Sequence, residues 1–375
     1  MSIYVSAPRA VAAGEPADER ELLTAALRPD GDAYARLVGP YRAGLHAHCY
    51  RMLGSVTDAE DALQETLLRA WRGLPRFEGR SSVRTWLYRI ATNVCLRAAE
   101  RQPKRVLPVD YAPEADTRDG LAEPVAEAVW LQPYPDERLG LPGGAASPDA
   151  RYEQRESVEL AFIAALAHLP ARQRAVLILR DVLGFSARET AEVLETTPVS
   201  VDSALQRAHR KVDQGLPKVS QQATLRSLGD RALSEVVGRF VSAWERNDVD
   251  ALVAMLAQDA RMAMPPLPTW YRGREQVGAF LAGRVLAPPR RWHLIPARVN
   301  GQLAFAAYIR DEKAQAFALD AVMVAGLQGR QIADITAFRT PDTLASLGLP
   351  AVVPAVVPAG RPVPHPAFDA TRWLL

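Results

Sequence analysis

Arg84, Arg89 and Arg97 share the stretch 83–99 with Trp86, Tyr88 and Asn93. Guanidinium groups follow phosphates, and rings or a pocket take unstacked bases, so this mixture suits single-stranded DNA. On spacing alone, Trp86, Leu87 and Ile90 fit a helix core equally well. A second basic group, Arg207, His209, Arg210 and Lys211, closes a stretch that begins Thr197-Pro198, an N-cap followed by proline at the first helical position. Upstream, Ser186-Ala187-Arg188-Glu189 reads as a capping box opening a short helix through Leu194. Two helices joined at Glu195-Thr196 make either a structural hairpin or a helix-turn-helix whose second helix enters the major groove. The basic end favours DNA. Other chemistry has little to work with. Cys49 and Cys95 have no partner at metal-ligand spacing, so buried structural thiols are expected and neither a metal nor a cofactor. His293, Asp259, Asp320 and Asp334 are the plausible acid/base groups, but no motif makes them converge. No catalytic residue is assigned and the chain is expected not to be an enzyme.

The elements that position these residues follow from pattern. A chain of 375 residues implies two or three domains. No apolar run approaches the ~18 residues of a membrane span, and the N-terminus does not read as a secretory signal. A cytoplasmic, non-membrane protein is expected. The net charge of +2 conceals an uneven distribution. Residues 76–105 carry eight Lys/Arg against two Glu, whereas 106–156 carry four Arg against eleven Asp/Glu. Adjacent blocks of opposite sign suit two different partners, or simply a solvated helix beside a solvated linker.

Composition divides the chain further. Residues 1–19 are expected to be disordered, and 20–102 read as helical throughout. Residues 103–150, rich in Pro, Gly and acids, read as a linker. A second helical block runs over 151–217, and 216–229 form a short polar connector. Beyond it, 230–348 change character: helices near 230–246, 248–257 and 274–283, with strands near 260–264, 291–299, 302–309, 316–327 and 330–338. The tail, 349–375, is Pro-rich and expected to be extended.

In the first block, Thr57-Asp58-Ala59-Glu60 reads as a capping box. Ala62, Leu63, Leu67, Ala70 and Trp71 recur at helical spacing as a buried stripe. Asp58, Asp61, Gln64 and Glu65 fall on the opposite face, which by itself reads as a solvated acidic surface.

The string DAEDALQETLLRAWRGLPRFEGRSSVRTWLYRIATNVCLRAAER closely resembles conserved region 2 of extracytoplasmic-function (ECF) sigma factors of bacterial RNA polymerase. The resemblance implies that Asp58, Asp61, Gln64, Glu65 and Leu68 dock on the clamp helices of the polymerase largest subunit. It implies that the loop with Phe77, Arg80, Ser81 and Ser82 takes a base flipped from the −10 element, and that Arg84, Trp86, Arg89, Asn93 and Arg97 help open and hold the strand. LAFIAALAHLPARQRAVLILRDVLGFSARETAEVLETTPVSVDSALQRAHRKV resembles region 4 of the same family, which reads the −35 element. Thr197, Pro198, Ser200, Val201, Asp202, Ser203 and Ala204 then become candidates for base edges, and Gln206, Arg207 and Arg210 for phosphates. Asp202 departs from many relatives, which carry a neutral or basic residue there; a carboxylate repels phosphate but accepts from a cytosine amine.

The acidic linker lies where the family threads an extended connector through the polymerase toward the RNA exit path; its negative charge suits a cleft built for nucleic acid, and the resemblance implies the largest and second-largest polymerase subunits as partners. Trp130, Leu131, Gln132 and Pro133 are similar to a linker element of SigG-like actinobacterial factors with a C-terminal extension. A Trp in a polar, Pro-rich segment tends to seek an apolar surface. SAWERNDVDALVAML and YRGREQVGAFL resemble the SnoaL-like fold, a cone of helices against a curved sheet. Its Trp244, Met262, Met264, Trp270, Tyr271, Phe280, Trp292, Phe305, Tyr308 and Phe317 either line a small-ligand pocket or pack as core. Gly326-Leu327-Gln328-Gly329-Arg330 stands where some relatives carry a DGGGR-like motif. The expected fold is therefore multidomain: two all-α sigma domains, the second a helix-turn-helix, and an α+β cone-shaped SnoaL-like domain. The expected partners are core RNA polymerase and promoter DNA, with the C-terminal domain regulating in cis. A DNA-binding module fused to a cyclase- or isomerase-type enzyme is the alternative.

Overall fold

The computed structural model describes residues 17–27, 31–139 and 153–354; the expectations for 1–16, for 140–152 and for the tail beyond Pro354 lie outside the described residues. The chain divides into two units, one from residues up to 105 with 137–218, the other from 106–136 with 219 onwards. The two helical blocks thus share one unit, and most of the intervening acidic segment belongs to the other. No described helix is long and apolar enough to cross a membrane.

In the first unit, α1 (Ala17–Ala26) and α2 (Gly31–Val38) lead into α3 (Arg42–Leu53). Every residue from Leu45 to Leu53 is buried, so α3 is the centre around which α4 (Val56–Gly73) and α5 (Val83–Ala99) pack. Gly54 ends α3 at φ 72°, a left-handed conformation that glycine adopts without strain. The cap of α4 is Ser55, whose hydroxyl accepts from Asp58 N at 3.0 Å, so the expected box at Thr57 is displaced by two residues. Ser82 caps α5 in the same way through Thr85 N. The second block comprises α6 (Leu160–Ala167), α7 (Ala171–Leu177) continued by a wide turn to Val182, α8 (Ala187–Leu194) and α9 (Pro198–Gly215). Ser186 and Glu189 form the reciprocal capping box of α8, and Thr197 caps α9 with Pro198 at its first turn. Helix α3 packs on α6 and α7, and α5 packs on α7 and α8.

In the second unit, α10 runs over Gln221–Glu245, so the expected connector is helical. Its break is Gly229, at φ 69° and ψ 166°, which separates a first segment capped by Ser220 from the helix expected at 230–246. α11 (Val249–Met255) and α12 (Arg274–Phe280) follow, and α13 (Pro341–Ser346) closes the domain. The strands are β1 (Leu256–Ala263), β2 (Trp270–Arg272), β3 (Trp292–Val299), β4 (Gln302–Asp311), β5 (Ala316–Gln328), β6 (Gln331–Phe338) and β7 (Val352–Pro354). They form a sheet in the order β2-β1-β6-β5-β4-β3 with β7 beside β5; β1 and β6 pair in parallel and the other neighbours antiparallel. Alternation along β4 and β5 sends Leu303, Phe305, Ala307, Ala321, Met323 and Ala325 into one core with α10, α11 and α12. The opposite face, with Ala304, Ala306, Val322, Val324 and Phe338, is buried as well. Helix α13 packs on β5, and Tyr308 donates its phenol proton to the Pro350 carbonyl at 3.0 Å.

Two histidines of α3 carry a pH signature. Burial holds His48 down to about 3, helped by Arg51, and holds His46 down to about 4, with Glu60 opposing and Arg138 reinforcing the shift. Both stay neutral in the folded chain while the unfolded chain takes up protons below an ordinary histidine value near 6.5. The unfolded state then binds more protons, so stability is fully present above pH ~6.5 and falls as the pH drops towards ~4, by about 1.4 kcal/mol per pH unit for each histidine. The urea midpoint of the helical unit should fall accordingly between about pH 7 and pH 5; a flat midpoint there contradicts the buried neutral pair.

Candidate nucleic-acid and polymerase interface

The faces of α4 are distinct. Ala59, Ala62, Leu63, Thr66 and Ala70 are buried, while Asp61, Gln64 and Leu68 are exposed at three- and four-residue spacing. Glu65 is half-exposed and holds Arg69 at 2.6 Å, one turn on. Asp58 departs from the expected docking face. Its carboxylate accepts from Arg105 at 2.7 and 3.0 Å, and the two side chains are only 15% and 10% exposed. Asp58 therefore anchors the end of the basic block to the start of α4.

In the loop after α4, Phe77 packs against Trp86 with ring centroids 5.0 Å apart. Arg80 and Ser82 are exposed and Ser81 half-exposed. Along α5, Arg89 and Arg97 are exposed and Asn93 half-exposed, a polar strip beside buried Leu87, Tyr88 and Ala91. Arg84 is engaged within the unit. It donates to the Leu183 carbonyl at 2.6 Å and lies 4.2 Å from the centre of the Phe185 ring, which also meets Tyr88 edge-on at 5.5 Å. Leu183 and Phe185 belong to the loop between the α7 turn and α8, so the second helical block occupies a side chain expected to meet DNA. No periodicity signals Phe185; it sits in a Gly-containing loop that reads as punctuation.

On α9, Val201, Ala208 and Val212 form the buried stripe. Val201 is fully buried, which removes it from the base-edge candidates: it holds the helix on its own domain. Thr197 and Ser200 share a hydroxyl contact of 2.9 Å, and Ser200 N donates to Thr197 Oγ1 at 3.2 Å, so both side chains serve the cap. Pro198, Asp202, Gln206, Arg207 and Arg210 are exposed, and Ser203 and Ala204 half-exposed. His209 Nε2 lies 2.5 Å from Asp181, whose carboxyl burial raises and His209 lowers, so this pair positions α9 against the α7 turn. Val199 was not among the candidates, yet it is 75% exposed.

The WLQP element is buried: Trp130, Leu131, Gln132 and Pro133 are all inaccessible and belong to the second unit. Trp130 packs on Tyr111 with centroids 5.1 Å apart, and Val106 and Trp130 form a parallel bridge. The segment is stitched to the sheet domain along its length. Ala115 N donates to the Trp270 carbonyl at 2.9 Å, and Trp270 Nε1 returns a bond to the Ala112 carbonyl at 2.7 Å. Thr117 donates to Gln276, and Val125 N to the Pro266 carbonyl. Glu127 accepts from Thr340 at 2.7 Å and Thr343 at 2.8 Å at the start of α13. Tyr134 and Asn300 exchange two bonds at 2.8 and 2.9 Å.

The cone interior is filled by Phe240, Trp244, Met262, Tyr271, Phe280, Trp292 and Phe305, all buried in one cluster. A cavity of about 570 Å³ lies elsewhere, lined by Pro124, Met264, Leu319, Arg339, Leu344 and Ala351 among others. The acid/base candidates are dispersed: His293 meets Glu245 at 2.9 Å, Asp334 meets Arg261 at 2.6 Å and Asp320 meets Arg339 at 2.9 Å, while Asp259 is exposed. Gly329 and Arg330 make the β5–β6 turn, and Arg330 pairs with Glu235 of α10.

Three family models match the chain. Sigma-70 region 2 matches residues 37–105, Sigma-70 region 4 matches 159–212, and the SnoaL-like domain matches 237–339. The ECF RNA polymerase sigma factor SigG of Mycobacterium tuberculosis is 42% identical over 298 residues, 79% of this chain and 76% of its own length. SigW of Bacillus subtilis, another ECF sigma factor, is 30% identical over 48% of this chain and 86% of its own. The crystal structure of the M. tuberculosis ECF sigma factor SigJ shares the fold, with a TM-score of 0.52 at 21% identity, covering 82% of this chain and 97% of that one.

The two neighbouring acids of α4 should behave differently. Asp58→Asn breaks a largely buried ion pair and should lower stability by about 2 kcal/mol. Asp61→Lys changes an exposed charge and should stay within ~0.5 kcal/mol. Urea unfolding of the two variants checks the contrast.

Proposed function

Because the chain belongs to the ECF family of RNA polymerase sigma factors, we propose that its C-terminal domain regulates transcription initiation in cis by holding the inter-block segment. As a sigma factor the protein binds core RNA polymerase and directs promoter recognition, the −35 element through region 4 and the −10 element through region 2; it is not an enzyme. The observation that carries the regulatory reading is the folding of 106–136 onto the sheet domain, with Trp130, Leu131 and Tyr134 each at most 2% exposed. A segment that is hydrogen-bonded along a domain cannot at the same time be extended through a polymerase cleft. Tethering keeps the capture intramolecular, so individually modest contacts stay populated. Release of the segment is then a step on the way to initiation, and the domain acts as a brake.

We assign core docking to the exposed Asp61, Gln64, Glu65 and Leu68, with the clamp helices of the largest subunit as partner and the second-largest subunit meeting the released segment. Promoter opening is assigned to Phe77, Trp86, Arg89, Asn93 and Arg97, with Arg84 joining them once it leaves Leu183 and Phe185. A small ligand of the C-terminal domain is assigned to the cavity beside Pro124 and Arg339, since the cone interior is filled. The site of action is the cytoplasm, where the polymerase and promoter are.

Two experiments test these assignments. Asp61→Lys with Glu65→Lys should weaken capture of core polymerase at least tenfold in a pull-down titration without unfolding the chain; unchanged capture removes α4 as the docking face. Glu127→Ala with Thr343→Ala removes bonds that fasten the segment and should raise run-off transcription from a cognate promoter severalfold. No change, or a decrease, refutes the brake.

A further inference from the structure

The two halves of α9 differ in charge. Its first turns, Pro198 to Ala204, hold no cation and one carboxylate, Asp202, whereas Arg207, Arg210 and Lys211 follow. A segment lying along phosphates needs cations, so the first turns are suited to the groove floor and the later ones to the backbone. Of the hydroxyls in the first turns, those of Thr197 and Ser200 are already engaged with each other. Pro198 has no polar group to offer, and exposed Val199, Asp202 and Gln206 lie at intervals of three and four residues opposite the buried Val201, Ala208 and Val212. Val199 is 75% exposed, more than any other large apolar side chain described. Single exposed apolar residues need no explanation by themselves. Here the exposed valine neighbours a carboxylate on the face that the buried stripe turns outward.

We propose that Val199, Asp202 and Gln206 are the specificity-determining strip of this factor, with Val199 selecting the 5-methyl group of a thymine and Asp202 the amino group of a nearby cytosine. This rests on region 4 reading the −35 element and adds which bases it reads. The major groove presents a methyl group only at thymine, and an isopropyl group buries it without needing a hydrogen bond. A carboxylate accepts but cannot donate. It therefore favours the N4 amine of cytosine and is repelled by the O6 and N7 acceptors of guanine. Gln206 extends the strip by one turn and carries both a donor and an acceptor, which suits adenine N6 and N7.

The test uses holoenzyme assembled from the full chain and core polymerase. Binding to a promoter library randomised over the −35 element gives the preference at each position. Wild type should prefer thymine at one position and cytosine at a neighbouring one. Replacing that thymine by deoxyuridine, which removes only the methyl group, should weaken wild-type binding about fourfold. Val199→Ala should bind both sequences alike. Replacing the cytosine by thymine should cost wild type about tenfold and Asp202→Asn less than twofold. Both side chains are exposed, so neither substitution should disturb folding. A wild-type −35 preference that both variants keep unchanged overturns the strip alone. A wild-type holoenzyme with no −35 preference overturns the strip together with the −35 reading beneath it.

Discussion

Guanidinium groups spent on backbone carbonyls hold the two helical blocks in one unit. Arg51 of α3 gives two hydrogen bonds to Ser157, at 3.0 and 2.6 Å, and is 3% exposed. Arg174 of α7 donates to the Met52 carbonyl at 2.5 Å and to the carbonyls of Ala167 and Leu169. Burial lowers Arg174 to about 10, which leaves it charged at neutral pH. Arg84 closes the set on Leu183. A charged donor on a carbonyl contributes about 1.5–3 kcal/mol, and a buried guanidinium stripped of partners costs more than that. Separation of the blocks lets water replace each carbonyl. An interface of this kind is firm when closed and recoverable when opened, unlike a joint made only of apolar side chains. A factor whose two DNA-reading modules must reach separate promoter elements needs that property.

The same closed arrangement sorts the basic residues of α5. Arg89 and Arg97 face solvent while Arg84 does not. The second block thereby decides which cations of this helix are free to meet a partner: Arg84 cannot meet phosphate while it stays on the Phe185 ring. Cation and aromatic residue, which the sequence pattern associates with single-stranded DNA, here meet inside the protein. One physical preference, a weakly hydrated cation over a ring, here joins the two helical blocks.

Local signals were the legible ones. The caps of α8 and α9, the helix at 230–246 and four of the strands of the sheet follow from side-chain chemistry at element ends and from two-residue alternation. Non-local partners were not. Asp58 looks like its neighbour Asp61 in the sequence, and only Arg105, far along the chain, separates their roles. Val201 and Val199 are equally apolar, and the buried stripe of α9 decides which one faces outward. The segment 106–136 looked like linker because its composition is polar and Pro-rich. Tyr111 and Leu121 stay exposed, but Trp130, Leu131 and Tyr134 are buried, and backbone groups at Ala115, Val125 and Tyr134 bond to the sheet domain. Composition counts residues; it does not reveal that a small minority of them found a surface.

The C-terminal domain shows how a pocket-forming architecture can be turned to holding. In a cone of this kind the space between helices and sheet is the natural place for a ligand, but here Phe240 and Phe305 meet tilted with centroids 4.5 Å apart, and Trp244 and Trp292 meet edge-on in the same buried cluster. A filled interior makes the domain rigid, and a rigid surface can bind an extended chain without a large further ordering cost. The captured segment is attached at dispersed points: Trp270, Gln276, Asn300, Thr340 and Thr343 come from different strands, loops and helices. Dispersed attachment makes capture cooperative, because each contact raises the effective concentration for the next. Loss of contacts at one end therefore weakens the hold on the whole segment. The cavity beside Pro124 is bordered by that segment and by α13, where Glu127 is fastened. Changes in packing at this one place therefore act directly on the point where the segment is held.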